Sequence, residues 1–154
     1  SGGLPIQWDV PEGWTETQPS SRMRETQFRL PGTGEAGPAT MAVFHFGGQA
    51  GGGPIQANID RWVKQFQGPD GKLGREAADI STNTVRGLKV HLVDIAGTYV
   101  GMGRSKPKQN QRMLGAIVEA DGGLVVFKLV GPKPTVSDHH EEFRQFVDSF
   151  RPTG

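Results

Sequence analysis

No cysteine occurs in this sequence, which excludes disulfides, thiolate nucleophiles and sulfur-ligated metal centres at once. No apolar run approaches the ~18 residues of a membrane-spanning helix. A surplus of one charge is missing as well. The 17 Lys and Arg stand against 16 Asp and Glu, a formal +1, so no global field argues for nucleic acid or an anionic membrane as partner. Familiar catalytic signatures are also lacking. There is no His-Glu-x-x-His, and Ser105, in Gly103-Arg104-Ser105-Lys106-Pro107, is not a Gly-x-Ser-x-Gly elbow.

What the chain does hold is 154 residues, a length that fits one domain over 1–154, with a flexible start at 1–4. Its 23 Gly and 11 Pro are numerous but fall short of a low-complexity composition. Leu, Ile, Val and Phe together supply enough bulk for a core. The start, Ser1-Gly2-Gly3-Leu4-Pro5, is small and lacks Met, and it reads as a mature form with a targeting segment removed. Export to the periplasm or cell envelope is therefore the expectation, with a lipid anchor upstream as one route.

Periodicity orders the elements. Ile6, Trp8 and Val10 alternate as a short strand that Pro11-Glu12-Gly13 ends. Arg24 to Leu30 and Thr40 to Phe46 read as two further strands, separated by a Gly/Pro loop. After the connector Gly47 to Pro54, the stripe Ile55, Ile59, Trp62, Val63 and Phe66 predicts an amphipathic helix stopped by Gly68-Pro69. Glu76 to Arg86 reads as a polar edge strand. Leu88 to Val100, Met113 to Ala120 and Leu124 to Val130 carry apolar groups on both faces, which requires layers on both sides of the sheet. Asp121-Gly122-Gly123 is a hairpin signal and makes its strands antiparallel. Thr135-Val136-Ser137-Asp138 reads as a capping box before a helix with Phe143, Phe146, Val147 and Phe150 on one stripe. The expected fold class is α+β, an antiparallel sheet sandwiched by helices.

Three features give this order a family likeness: Trp8-Asp9-Val10-Pro11-Glu12-Gly13-Trp14 at the start, the helix after the third strand, and Phe143-Arg144-Gln145-Phe146-Val147-Asp148-Ser149-Phe150 at the end. Over roughly residues 4 to 152 the chain resembles the Mog1/PsbP-like superfamily, in an exported bacterial form. The resemblance implies an α/β/α architecture and a non-catalytic accessory or protein-binding role. It implies no catalytic residues, because its motifs are structural.

The Gly-rich connector ends in Gly53-Pro54-Ile55 and lacks the Gly-Lys-Ser/Thr of a phosphate loop. His139-His140-Glu141-Glu142 reads as a solvated helix start rather than a metal site, since adjacent helical residues diverge by about 100°. His45 and His91 read as core or interface residues. Asp94, between Val93 and Ile95, calls for an ion pair or hydrogen-bonded partner. The clearest asymmetry is Gly101 to Arg112, where Arg104, Lys106, Lys108 and Arg112 occur with no acid among them. That segment reads as a mobile basic loop, and its cations are the candidate contacts for an acidic protein surface. Nucleic acid is not expected, because no aromatics are interleaved for stacking. No cofactor or metal is expected to be needed for folding.

The leading functional expectation is thus an accessory, protein-binding domain, not an enzyme, within a larger, membrane-associated assembly but with no transmembrane segment of its own. The alternatives are a small-ligand or metal-binding domain with a pocket between sheet and helix, and, behind it, a small hydrolase.

Overall fold

Strands that alternate two apolar sets need a helix on each side, and the computed structural model supplies both. It describes residues 4–19, 24–47, 54–68, 74–100, 106–121 and 123–153. In chain order the elements are β1 (Ile6–Gln7), β2 (Thr15–Thr17), β3 (Thr26–Leu30), β4 (Ala39–Gly47), α1 (Ile55–Val63), β5 (Phe66–Gln67), α2 (Gly74–Ala77), β6 (Asp79–Val85), β7 (Leu88–Tyr99), β8 (Lys108–Ala120), β9 (Gly123–Pro132), α3 (Lys133–Asp138), α4 (His140–Asp148) and β10 (Arg151–Pro152). The main sheet runs β2-β3-β4-β9-β8-β7-β5, with β6 also paired to β7, and every pairing is antiparallel. A separate two-stranded ribbon, β1 with β10, joins the two ends of the chain.

Each face of the sheet carries its own core. On one face Met41, Val43, Val90, Leu114, Val125, Phe127 and Leu129 meet Phe143, Phe146, Val147 and Phe150 from α4 and the residues after it. Phe146 and Phe150 are fully buried, and Phe146 stacks edge-on against Phe127 at 5.4 Å. Trp8 and Trp14 pack on Phe146 at 5.9 and 5.1 Å, which explains why a Trp-rich segment opens the domain and a Phe-rich helix closes it. Ser149 Oγ, accepting from the Asp9 amide at 2.9 Å, ties the same two segments together. Arg86 donates to the Asp148 and Phe150 carbonyls, satisfying the C-terminal end of α4.

On the opposite face Ile59, Trp62 and Val63 of α1 pack with Phe66, Val93, Ile95, Met113, Ile117 and Val126. Trp62 lies so close over Gly115 that a Cβ there would collide with its ring. The antiparallel α/β/α sandwich expected from the sequence is what forms.

Several local expectations change. The first strand stops at Gln7 and pairs with β10, and Val10 is exposed. The α1 helix ends at Val63, so Phe66 completes the apolar stripe from β5 instead. Glu76 belongs to the short α2, and the polar edge strand is β6. The capping box does not form: Thr135 lies inside α3, and its hydroxyl donates to the Gly37 carbonyl at 2.7 Å. The strands on either side of the expected Asp-Gly hairpin, β8 and β9, are antiparallel, with Ala120 opposite Gly123; Gly122 lies outside the described residues. The residues 48–53 of the Gly-rich connector and residues 1–3 lie outside those described.

Candidate docking surface

The expected basic loop divides into two parts. Arg104 lies outside the described residues. Lys106 precedes β8 and Lys108 begins it, so the strand starts five residues earlier than Met113, and both lysines are exposed. Lys133, at the start of α3, is exposed at the same end of the sheet, because Pro132 stands opposite Gln111. Lys133, Gln109 and Asn110 border a shallow cleft of about 340 Å³ with Gly97 and Thr98. Among the described residues none of these three lysines forms an ion pair. Local sequence pattern does not single out Lys133; its one signal is the Lys-Pro step that opens a helix straight after a core strand.

Arg112 behaves differently. Instead of hanging in a loop, it sits within β8 and turns onto the α4 face. Its Nε and Nη2 donate to the two carboxylate oxygens of Asp94 at 2.9 and 2.6 Å, and Nη1 donates to Ser137 Oγ at 2.9 Å. The register explains the match. Arg112 stands opposite Ala96, and Asp94 is two residues along the same face, a diagonal neighbour. The hydrogen bonds from Arg112 to Asp94, opposed by burial and helped by the carboxylate charge, raise the Arg112 pKa above its ordinary value. Asp94 thus has the partner its apolar strand demanded.

A second concavity of about 300 Å³ opens between α4 and the β6–β7 edge. Leu92, Leu114, Phe143 and Val147 line it together with polar residues, among them Ser81 and Asn83 of β6. It is the pocket between sheet and helix that the alternative reading anticipates.

Two of the four histidines, His139 and His91, are held by neighbouring polar groups. His139 is buried, not solvated as the sequence suggested. Its Nδ1 lies 2.7 Å from Glu142 Oε1 and its Nε2 lies 2.9 Å from the Pro31 carbonyl. Both partners are acceptors, so the protonated ring is the form that satisfies both contacts at once. Burial opposes that charge, but the Pro31 and Glu142 hydrogen bonds and the charges of Glu142 and Asp138 outweigh it and raise the pKa. Glu142 Oε1 also accepts from Trp14 Nε1 at 2.8 Å. His91 lies 3.1 Å from Thr82 Oγ1 and 2.7 Å from Glu119 Oε2. Among the described residues no three His, Asp or Glu side chains converge as metal ligands. No described helix is long and apolar enough to cross a membrane.

No family model and no curated protein matches the sequence. Solved structures do. Protein PA94 of Pseudomonas aeruginosa, of unknown function, is 14% identical with a TM-score of 0.57, over 98% of this chain and 99% of that one. Cyanobacterial PsbP of Synechocystis sp. PCC 6803 is 14% identical with a TM-score of 0.57, over 99% and 95%. LpqN of Mycobacterium tuberculosis, involved in cell envelope biogenesis, is 17% identical with a TM-score of 0.55, over 100% and 87%. At these identities the likeness establishes the fold, and that fold is the Mog1/PsbP-like one.

Proposed function

We propose that this chain is a non-catalytic accessory domain that docks onto a protein partner with an acidic surface, as part of an exported assembly at the cell envelope. The observation that carries the reading is the sorting of charge at one end of the sheet. Arg112 is neutralised by Asp94, whereas Lys106, Lys108 and Lys133 are exposed and without ion pairs among the described residues. Exposed cations of this kind add little to folding but steer an approaching acidic surface and fix its orientation. Arg104 belongs to the same segment by sequence and joins the proposal on that ground. The similarity in fold to PsbP, and to LpqN with its part in envelope biogenesis, supports an accessory and exported role.

A photo-reactive side chain at position 106 tests this in the intact cell. Cross-linking to one acidic protein, competed by the unlabelled domain but not by its Lys106→Gln/Lys108→Gln form, is the expected result. Cross-linking that the neutralised form competes equally well contradicts it.

The cleft beside α4 supports a second reading, a small-ligand domain, because apolar floor and polar rim converge there. Its volume of about 300 Å³ suits only a small molecule. Ligand-dependent shifts confined to Ser81, Asn83 and Leu114 in an NMR titration would favour it over protein docking.

A further inference from the structure

Among the described residues β6 is the one long strand that pairs on a single side. Its seven residues, Asp79–Val85, face β7 in unbroken register, and no described backbone group bonds to the opposite edge. The other edges are short: β2 has three residues and β5 has two. Unpaired N–H and C=O groups invite another strand, and edges are ordinarily blunted by Lys, Pro or a bulge. β6 has none of these, and six of its seven residues are exposed.

Alternation sorts the side chains of β6 onto two faces. Asp79, Ser81 and Asn83 stand opposite Asp94, Leu92 and Val90, and line the cleft beside α4. Ile80 stands opposite Val93 on the other face, where with Ile59 and Val63 of α1 it lines a shallow hollow of about 380 Å³. Ile80 is 44% exposed there, although its neighbours are apolar. The open edge therefore runs between two concavities, one on each face of the sheet. A strand added along β6 would bond through its main chain and send alternate side chains into each.

Charge and shape indicate what that strand carries. The α4 cleft has an apolar floor of Leu92, Leu114, Phe143 and Val147, and Asp79 and Asp148 line it from exposed positions. Among the described residues neither of these carboxylates forms an ion pair. Asp94 is already paired with Arg112, and Arg144, which borders the cleft with His140, has Glu141 at 4.0 Å. A long cationic side chain fits this setting, with its methylenes on the floor and its charge at the carboxylates. The hollow at Ile80 suits an apolar side chain. A second copy of β6 carries no cation, and would offer the α4 cleft only Asp79, Ser81 and Asn83.

We propose that the free edge of β6 receives an extended segment of a partner protein, with Lys or Arg on the face towards α4 and an apolar residue on the face towards α1. The segment occupies the α4 cleft with a side chain where the second reading above has a free small molecule, and it is independent of the basic end.

The test titrates capped heptapeptides into the isotope-labelled protein: one alternating Val and Lys, one alternating Val and Glu, and a Val/Lys form with every amide N-methylated. The Val/Lys peptide should shift NMR signals on both faces of β6, at Ile80 as well as at Ser81 and Asn83. It should also slow hydrogen exchange of the β6 amides that point away from β7. Asp79→Asn should weaken its binding about two- to fivefold, the range for one exposed ion pair. Ser81→Lys should weaken it by roughly tenfold or more, since the new cation takes the place of the peptide's. Both positions are exposed, so both variants should melt like the parent, and the methylated peptide makes the comparison on the unaltered protein. Equal binding by the Val/Glu or the methylated peptide, shifts confined to the α4 side, or no binding by the Val/Lys peptide overturns the proposal. Sedimentation that shows the free protein dimerising, with the dimer lost in Ser81→Lys, assigns the edge to a second copy and overturns it as well.

Discussion

Phe146 and Gly115 show how single residues hold the two layers against the sheet. Phe146 is fully enclosed by Trp8, Trp14, Phe127 and Phe150, so Phe146→Ala should cost about 3–5 kcal/mol in denaturant melts. A loss under about 1 kcal/mol would mean that this face of α4 is not packed as described. Gly115→Ala should destabilise by about 1–3 kcal/mol, because Trp62 has to move off the sheet. His139 makes stability depend on pH, and the direction follows from its two acceptor partners. Its folded pKa is raised, so the contribution is complete below the unfolded value of about 6.5 and fades as pH climbs through the folded one. Urea midpoints should fall from pH 6 towards alkaline values, and His139→Gln should flatten that slope. A wild-type slope that is unchanged in His139→Gln would remove the imidazolium from the account.

At the scale of elements, the Asp94–Arg112 pair links the β7–β8 hairpin to α3 through Ser137. The pair is partly exposed, with Arg112 at 18% and Asp94 at 33%. Arg112→Ala should therefore cost less than breaking a fully buried pair, about 1–2 kcal/mol, and Arg112→Ala/Asp94→Ala should recover part of it. A double variant as unstable as the sum of the singles would deny the coupling. How far these elements were legible depended on which force placed them. The long strands and the Phe stripe of α4 were readable because apolar periodicity reports burial directly. Arg112 reads as a loop residue because it is polar and follows a Gly/Pro/Gln-rich stretch. Only the register across the hairpin, which local patterning does not contain, brings it to Asp94. The capping box failed for a related reason: Thr135 found a tertiary acceptor in Gly37, and α3 formed around it. His139 reads as solvated because its neighbours are polar, although the Pro31 carbonyl, distant in sequence, meets its ring, and Trp14 meets its partner Glu142.

For the whole molecule, two cores on the two faces of one sheet supply the stability. A chelator should leave the melting temperature unchanged, and a fall of many degrees would show that folding depends on a metal. The same division leaves the hairpin end free to carry charge without cost to the fold. Lys106→Gln/Lys108→Gln/Lys133→Gln should melt like the parent. The most direct test of the docking account is the association rate of the cross-linked partner with parent and triple variant, each at low and at high salt. The account predicts a slower rate for the variant at low salt and a flatter dependence on ionic strength, since exposed charges are screened beyond about 8 Å under physiological conditions. Equal rates and equal salt slopes for the two forms would contradict it.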